Sequence, residues 1–371
     1  MKRIEGRIKQ AGKKYLQGIN LLLRKNDWKK KIRRIYSANK ELGKSPREKI
    51  LLSQVSCFFK QYHLKVNPQW HQVYWQLNGI KDKKYMPDDI FHLYIEPRLN
   101  RKELCTGYID KNIYDRLLPR VPLPKTIIRN MNGEYLDRAY NGISLDRAMD
   151  LLGPGEYIIK PAIDSSGGKN VRKLRVNANK TFLMDDKILQ FSEVQKAYGK
   201  DFLIQELLKQ HDFMNEIYPY SVNTIRVLTL KFNGKTHILS SVLRMGNKGA
   251  YIDNFSAGGV CCGINPKGIL NDFAVDKVFH KYYEHPLTHF RFQGAEMPNY
   301  EGVEAFAKEL HDYLPPYFQM VSWDIIIDQA SQFNLIEFNM RSQQIDFHQI
   351  HNGPIFGDLT EQLLQQLFIC Q

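Results

Sequence analysis

The stretch WDIIIDQASQFNLIEFNMR, residues 323 to 341, constrains this chain more than any other. It reads as two apolar strands, 323–328 and 335–339, joined by a polar turn over 329–334, and such strands pair as a hairpin. Because side chains alternate between the faces of a strand, Ile325, Ile327, Ile336 and Phe338 form one buried face. Asp324, Glu337 and Asn339 share the other, with Asp324 expected roughly opposite Asn339. Two carboxylates and an amide oxygen converging from neighbouring strands suit one or two hard cations, above all Mg²⁺, which keeps water and phosphate oxygens in its shell. The alternative is a half-exposed hairpin whose polar face meets water. It leaves two acids and an amide unexplained in what reads as the middle of a sheet.

A second constraint lies upstream in IIKPAIDSSGGKNV, residues 158 to 171. A strand ending in Lys160 opens into a small loop, 164–170, that carries Ser165, Ser166, Gly167 and Gly168. Glycines let backbone N–H groups approach an anion, and an ammonium neutralises it without a rigid fork. The pair suits a polyphosphate. It is not a Walker A pattern, and an ordinary glycine turn is the alternative.

Strand signals dominate after residue 121. VPLPKTIIRNMNGEYLD reads as strand, Asn-Gly turn and strand, SLDRAMDLL as a short helix capped by Ser144, and EYIIKP as a strand. DFLIQELL, SVNTIRVLTLKFNGKTHILSSVLRMG, SWDIIID and FNLIEFNM continue the pattern, with helices at VEAFAKELHDYL and LTEQLLQQLF. Residues 61–120 are mixed and broken by prolines, and give no strand assignments. At 371 residues the chain is long enough for two or three lobes. No apolar run approaches the roughly 20 residues of a membrane-spanning helix, and the N-terminus lacks the pattern of a secretory signal. Cys57, Cys105, Cys261, Cys262 and Cys370 are scattered without CxxC spacing, which suits reduced thiols in a cytoplasmic protein.

The net charge of +14 is confined to one end: residues 1–60 hold 18 Lys and Arg against 4 Asp and Glu, so the remainder of the chain sums to zero. This segment reads as helix, with Ile8, Tyr15, Ile19 and Leu22 on one face and Trp28, Ile32 and Ile35 repeating it among Lys29, Lys30, Lys31, Arg33 and Arg34. Basic amphipathic helices lie on anionic membranes or acidic partners. A solvated arm packed on its own body is the alternative. No nucleic-acid-binding motif accompanies the charge, so nucleic acid is not an expected partner.

Taken together, these segments resemble the ATP-grasp superfamily. The wording of PKTIIRN, FLIQELL, YSVNTIRVLT, DNFSAGGV, WDIIID, LIEFNMR and DFHQIHNGPIFGD is similar to the sugar-transfer-associated branch, related to α-L-glutamate ligases and found with polysaccharide biosynthesis. The resemblance spans about residues 100–371. It implies an α/β (α+β) ATP-grasp fold in which two α+β lobes clasp ATP, preceded by the basic helical N-terminal region. The expected parts are a basic arm at 1–60, a pre-ATP-grasp region at 61–120, a lid subdomain at 121–205 and a catalytic subdomain at 206–371.

The resemblance also implies roles. Lys125 and Lys160 would contact ATP phosphates beneath the loop of Ser165, Ser166, Gly167 and Gly168. Gln205, Glu206 and Leu208 would surround adenine, although Glu206 also reads as a surface carboxylate. Asn223 and Arg226 follow in the next strand, with Arg226 on the transferring phosphate or in a structural ion pair. Asp324, Glu337 and Asn339 would hold Mg²⁺. His211 and Asp212 leave the ribose contact open. Asn254 and Gly258, with Asp346, His348 and Gln349, fall where an acceptor would bind, though a buried histidine is commonly structural. Arg341 either holds a carboxylate or orients the metal ligands, and with Arg226 and Lys160 completes the expected catalytic set.

The implied activity is an ATP- and Mg²⁺-dependent carboxylate–amine ligase acting through an acyl phosphate. Its partners would be a sugar nucleotide or glycan carboxylate and an amine or amino acid, in surface polysaccharide or capsule assembly. A kinase acting on a glycan or sugar hydroxyl, and a nucleotide-binding companion of a glycosyltransferase, are the competing readings. In either case residues 1–60 would dock on a glycosyltransferase or on the anionic inner face of the membrane.

Overall fold

The computed structural model describes residues 20, 22–37, 46–163, 168–185, 187–250, 253 and 258–370. Residues 1–19, 21 and 38–45 of the basic arm, together with Ser165, Ser166, Gly167 and Asn254, lie outside the described residues. The chain forms two compact units, Met1–Leu99 with Gln344–Gln371, and Asn100–Gln343. The boundaries expected at residues 60, 120 and 205 do not coincide with this division. Among the described residues no helix is long and apolar enough to cross a membrane.

The first unit is helical. Helices 22–37, Pro46–Lys60, Gln69–Asn78, Ile345–Asn352 and Thr360–Phe368 surround an irregular stretch, Asp88–Ile90, Phe91–Ile95 and Glu96–Leu99, that contains a π turn. Helix 22–37 is packed into this unit: Ile32 and Ile35 are buried, and the Trp28 ring stacks on His92 at 4.9 Å. Lys31 points the same way, 3.2 Å from Asp88 and 3.0 Å from Asp346, with its ammonium 4.7 Å from the centre of the Trp28 ring. The apolar face expected to meet a membrane is therefore covered over residues 28–35. Gln349 fills a comparable structural role, accepting from Met86 N at 2.8 Å and donating to Met86 O at 2.8 Å.

The second unit is built on two antiparallel sheets. The first contains β1 (Thr126–Met131), β2 (Glu134–Leu136), β3 (Gly142–Ile143), β4 (Gly155–Pro161), β5 (Arg172–Val176), β6 (Phe182–Met184), β7 (Lys187–Leu189) and β8 (Phe202–Glu206). Its spatial order is β3-β2-β1-β8-β4-β5-β6-β7. The second contains β9 (Thr224–Phe232), β10 (Lys235–Met245), β11 (Val260–Ile264), β12 (Leu270–Val275), β13 (Lys281–Tyr282), β14 (Met320–Ile327) and β15 (Phe333–Asn339), ordered β13-β12-β11-β10-β9-β14-β15. Two of the tight hairpins, β1–β2 and β9–β10, turn on Asn-Gly pairs, Asn132-Gly133 and Asn233-Gly234, with positive φ at all four residues as the twist of a two-residue hairpin requires. Ser144 caps helix Leu145–Leu151 by accepting from Arg147 N. Helix Tyr300–Asp312 packs the second sheet through Val303, Ala307 and Leu310, in a core that includes Trp323, Ile325, Ile327, Leu335 and Phe338.

Candidate active site

The register of the β14–β15 hairpin sets the site. Asp324 pairs with Glu337, and Asn339 lies opposite Ser322, two residues from the expected pairing. The hairpin closes earlier than expected, with Ile327 opposite Phe333, three residues from the expected pairing, and a break in register between Asp324 and Ile325 gives one residue back: Ile325 pairs with Leu335, which leaves Ile336 as the extra residue of a bulge. The bulge also corrects the expected faces. Leu335 takes the core position and Ile336 turns to the cavity beside Glu337. Asp324, Glu337 and Asn339 still share one face, with Asn339 Nδ2 3.4 Å from Glu337 Oε1.

That face opens on a cavity of about 140 Å³ within the second unit. Ile158, Leu207, Leu208, Val222 and Ile336 make an apolar slot, and Lys111, Lys160, Arg244, Asp253, Asp324 and Glu337 supply charge. The proportions suit a ligand with a flat apolar part and a charged tail. Lys160, on β4, is buried with only 6% of its surface exposed and has no ion pair among the described residues. Burial, helped by the nearby Lys111 charge and opposed by Glu337, lowers its pKa to about 8. Gly168 lines the same cavity with a φ of 64°, a left-handed conformation that glycine adopts without strain.

Asp324 is held from two sides. Arg226 donates through Nε and Nη2 at 2.7 Å each, and Arg244 through Nη1 at 3.0 Å. These guanidinium groups keep the Asp324 carboxyl below its usual range despite full burial. Arg244 also reaches Asp253 at 3.5 Å, and Asp253 accepts from Thr224 Oγ1. Burial pushes Asp253 the opposite way, upward. Glu337 is held more loosely, with Lys111 Nζ 3.5 Å away.

The structure brings Lys160, Gly168, Gln205, Glu206, Leu208, Asp324 and Glu337 to one cavity. Arg226 lies behind Asp324 and is bound to it. Lys125 lines an adjoining cavity that shares Lys111, Lys160 and Gln205, and its ammonium is 2.7 Å from Glu206. Gln205 is committed to β1 and the residues before it, donating to the Pro124 carbonyl and to the Thr126 hydroxyl. Asn223 is not brought to the cavity: it is fully buried and ties Met214 O and Tyr218 O. His211 caps helix Asp212–Ile217 through Nδ1. Arg341 is half-buried just after β15, and Gly258 sits at a positive φ before β11. Asp346, His348 and Gln349 belong to the other unit, where Asp346 meets Lys31 and Gln349 clamps Met86.

Sequence reasoning missed Lys111, Arg244 and Asp253. Lys111 starts a short 3₁₀ turn and is fixed by a backbone bond from its N–H to Ala162 O at 3.0 Å, a long-range contact without a local signature. Arg244 carried a usable signal, an arginine near the end of the otherwise uncharged strand ILSSVLRM.

The family profile described as sugar-transfer associated ATP-grasp matches residues 92–364. The chain belongs to that family. Its ATP-grasp fold accounts for two α+β halves bracketing the cavity, one supplying Lys160 and the other Asp324 and Glu337. Solved structures with similarity include the L-amino acid ligase of Bacillus licheniformis, at 12% identity and TM-score 0.38, covering 72% of this chain and 48% of that one. D-alanyl-alanine synthetase A of Vibrio cholerae gives 14% identity and TM-score 0.40 over 71% of this chain and 66% of that one. The ATP-grasp ligase PsnB, complexed with its minimal precursor, Mg and ADP, gives 15% identity and TM-score 0.36, with 71% and 60% covered. This chain thus spans about half to two thirds of the length of these solved proteins. No curated protein matches it.

The donor set fits a hard cation. Asp324 and Glu337 are cross-strand neighbours on a face that opens to the cavity, and Asn339 adds an amide beside Glu337. Among the described residues no group of three or more His, Cys, Asp and Glu side chains could hold a metal, so the candidate rests on two carboxylates and an amide. Of the about four lone-pair sites a carboxylate offers, the two arginines take one on Asp324 Oδ1 and two on Oδ2, so Oδ1 is the oxygen with room for a cation.

Proposed function

We propose that this protein is an ATP-dependent carboxylate–amine ligase that joins an amine or amino acid to a carboxylate of a sugar nucleotide or glycan in surface polysaccharide assembly. The observation that carries the nucleotide reading is Lys160: a buried ammonium without an ion pair among the described residues, at the end of an apolar slot and beside a carboxylate face. An uncompensated buried charge is costly, and a polyphosphate is a counter-charge of the right kind. The sugar-related substrate rests on the family description alone.

In this reading Ile158, Leu208, Val222 and Ile336 receive the adenine, while Lys160 and Lys111 meet phosphate oxygens. Asp324, Glu337 and Asn339 would hold Mg²⁺, which supplies charge neutralisation at the β- and γ-phosphates. Arg226 fixes Asp324 from behind. Arg244, which both touches Asp324 and lines the cavity, faces the region where charge builds up during transfer. An acceptor carboxylate oxygen attacks the γ-phosphorus and ADP leaves. The amine nitrogen then attacks the acyl carbon, phosphate departs, and the amine gives up its proton. The five cysteines, all free thiols, support a cytoplasmic setting.

Hydroxylamine tests the chemistry. With a panel of uronic acids and sugar nucleotides, ATP and no amine, a ligase forms a hydroxamate together with ADP. A product that carries phosphate stably on a hydroxyl and yields no hydroxamate would replace the ligase reading with a kinase.

A further inference from the structure

Helix 22–37 separates its residues sharply. At 100° per residue, Trp28, Lys31, Ile32 and Ile35 fall on one arc, which is turned into the first unit. The opposite arc carries Leu22, Leu23, Asn26, Lys29, Lys30, Arg33 and Arg34, all exposed. Leu22 and Leu23 are 62% and 57% exposed, the largest apolar exposures on this helix. Four cations and two leucines therefore share one outward stripe, about 18 Å long at 1.5 Å per residue, with Asp27 at its margin.

We infer that this outward stripe is a docking surface for an anionic lipid bilayer, with Leu22 and Leu23 entering the headgroup region and Lys29, Lys30, Arg33 and Arg34 pairing with lipid phosphates. The leucines decide the occupant. A nucleic acid or an acidic protein tract would use the cations and leave two adjacent leucines in water, whereas the boundary of a bilayer takes both kinds of side chain. Charge agrees, since the first 60 residues carry the entire net charge of the chain. The lock of Lys31 on Asp88 and Asp346 holds the stripe outward, so the stripe is presented by folded protein. This inference is independent of the ligase reading, because vesicle binding needs no turnover.

The test is co-sedimentation of the full chain with phosphatidylcholine vesicles, with and without phosphatidylglycerol. The expected result is binding to anionic vesicles only, weakened by added salt. K29Q/K30Q/R33Q/R34Q should lower the partition coefficient by two to three orders of magnitude, taking about 1 kcal/mol per cation near the surface. L22A/L23A should lower it by about tenfold or more. All of these residues are exposed, and unchanged thermal midpoints will show that the variants fold. Equal binding to neutral vesicles, or a charge variant that binds like the parent through the cations before residue 20, would overturn the inference. So would a leucine variant that binds like the parent, because the surface would then recognise anions without regard to lipid.

Discussion

Replacing Lys160 by methionine should make the empty protein more stable while destroying its affinity for ATP. The side chain is buried and its pKa falls from 10.5 to about 8, with burial as the largest cause, Lys111 adding to it and Glu337 opposing it. At 1.36 kcal/mol per unit, holding Lys160 charged costs roughly 3 kcal/mol. Methionine keeps the stem and volume and removes the charge. The sign follows from proton counting: between pH 8 and 10.5 the unfolded chain binds the proton and the folded chain does not, so stability rises with pH there. The penalty is therefore complete below about pH 8 and gone by about pH 10.5. Lys160→Met should exceed the parent by about 3 kcal/mol at pH 7, and the two should converge at high pH.

The two units need not unfold together, so the measurement is hydrogen exchange of the β4 and β8 amides, which reads the opening of the unit that carries Lys160. Adding ATP should slow exchange in the parent and leave the variant unchanged. Near pH 8, ATP should also draw a fraction of a proton onto Lys160, visible by calorimetry in buffers of different ionisation heat. A variant no more stable than the parent at pH 7, or a difference that does not vary with pH, would refute the assignment of Lys160 as an uncompensated charge.

Glu337→Gln should abolish ADP release with little change in stability, whereas Asp324→Asn should abolish it and also destabilise by about 3–5 kcal/mol, because Arg226 and Arg244 lose the charge they share; urea titration separates the two. Arg244→Gln is expected to lower kcat about 10²–10³-fold with a smaller change in the KM for ATP, and the reverse split would move Arg244 to ground-state binding. In the first unit, Gln349→Ala strands the Met86 N–H and carbonyl and should cost about 2 kcal/mol or more in thermal denaturation, without altering an ATP titration of the second unit.

Local signals in the sequence were enough for the two Asn-Gly hairpins and for one helix start. Asn-Gly pairs set β1–β2 and β9–β10, and Ser144 announced its helix, because each is decided within four residues. Parity alone put Asp324, Glu337 and Asn339 on one face. It did not reveal the bulge, since whether Leu335 or Ile336 enters the core depends on pairing with Ile325. Residues 61–120 gave little because helix Gln69–Asn78 buries Trp70, His71, Gln72, Val73, Tyr74, Trp75 and Leu77, nearly its whole circumference, and so shows no stripe. The basic helix misled for a different reason. Its apolar face satisfies a fold or a membrane equally well on paper, and only Trp28 on His92 and Lys31 on Asp346 decide between them.

The charges at the cavity divide into two kinds with different work. Arg226 and Arg244 are spent on Asp324 and Asp253, pairs that hold geometry whether or not a nucleotide is present. Lys160 has no such partner among the described residues. Pairing that lysine internally would stabilise the empty protein and remove part of the attraction for phosphate. Leaving it under-compensated transfers that cost to the moment of binding, when the incoming phosphates relieve it. Glu337, held more loosely than Asp324, is then the ligand with room to adjust as a cation arrives with the nucleotide, while Asp324 stays fixed as the reference point against which the phosphates are aligned.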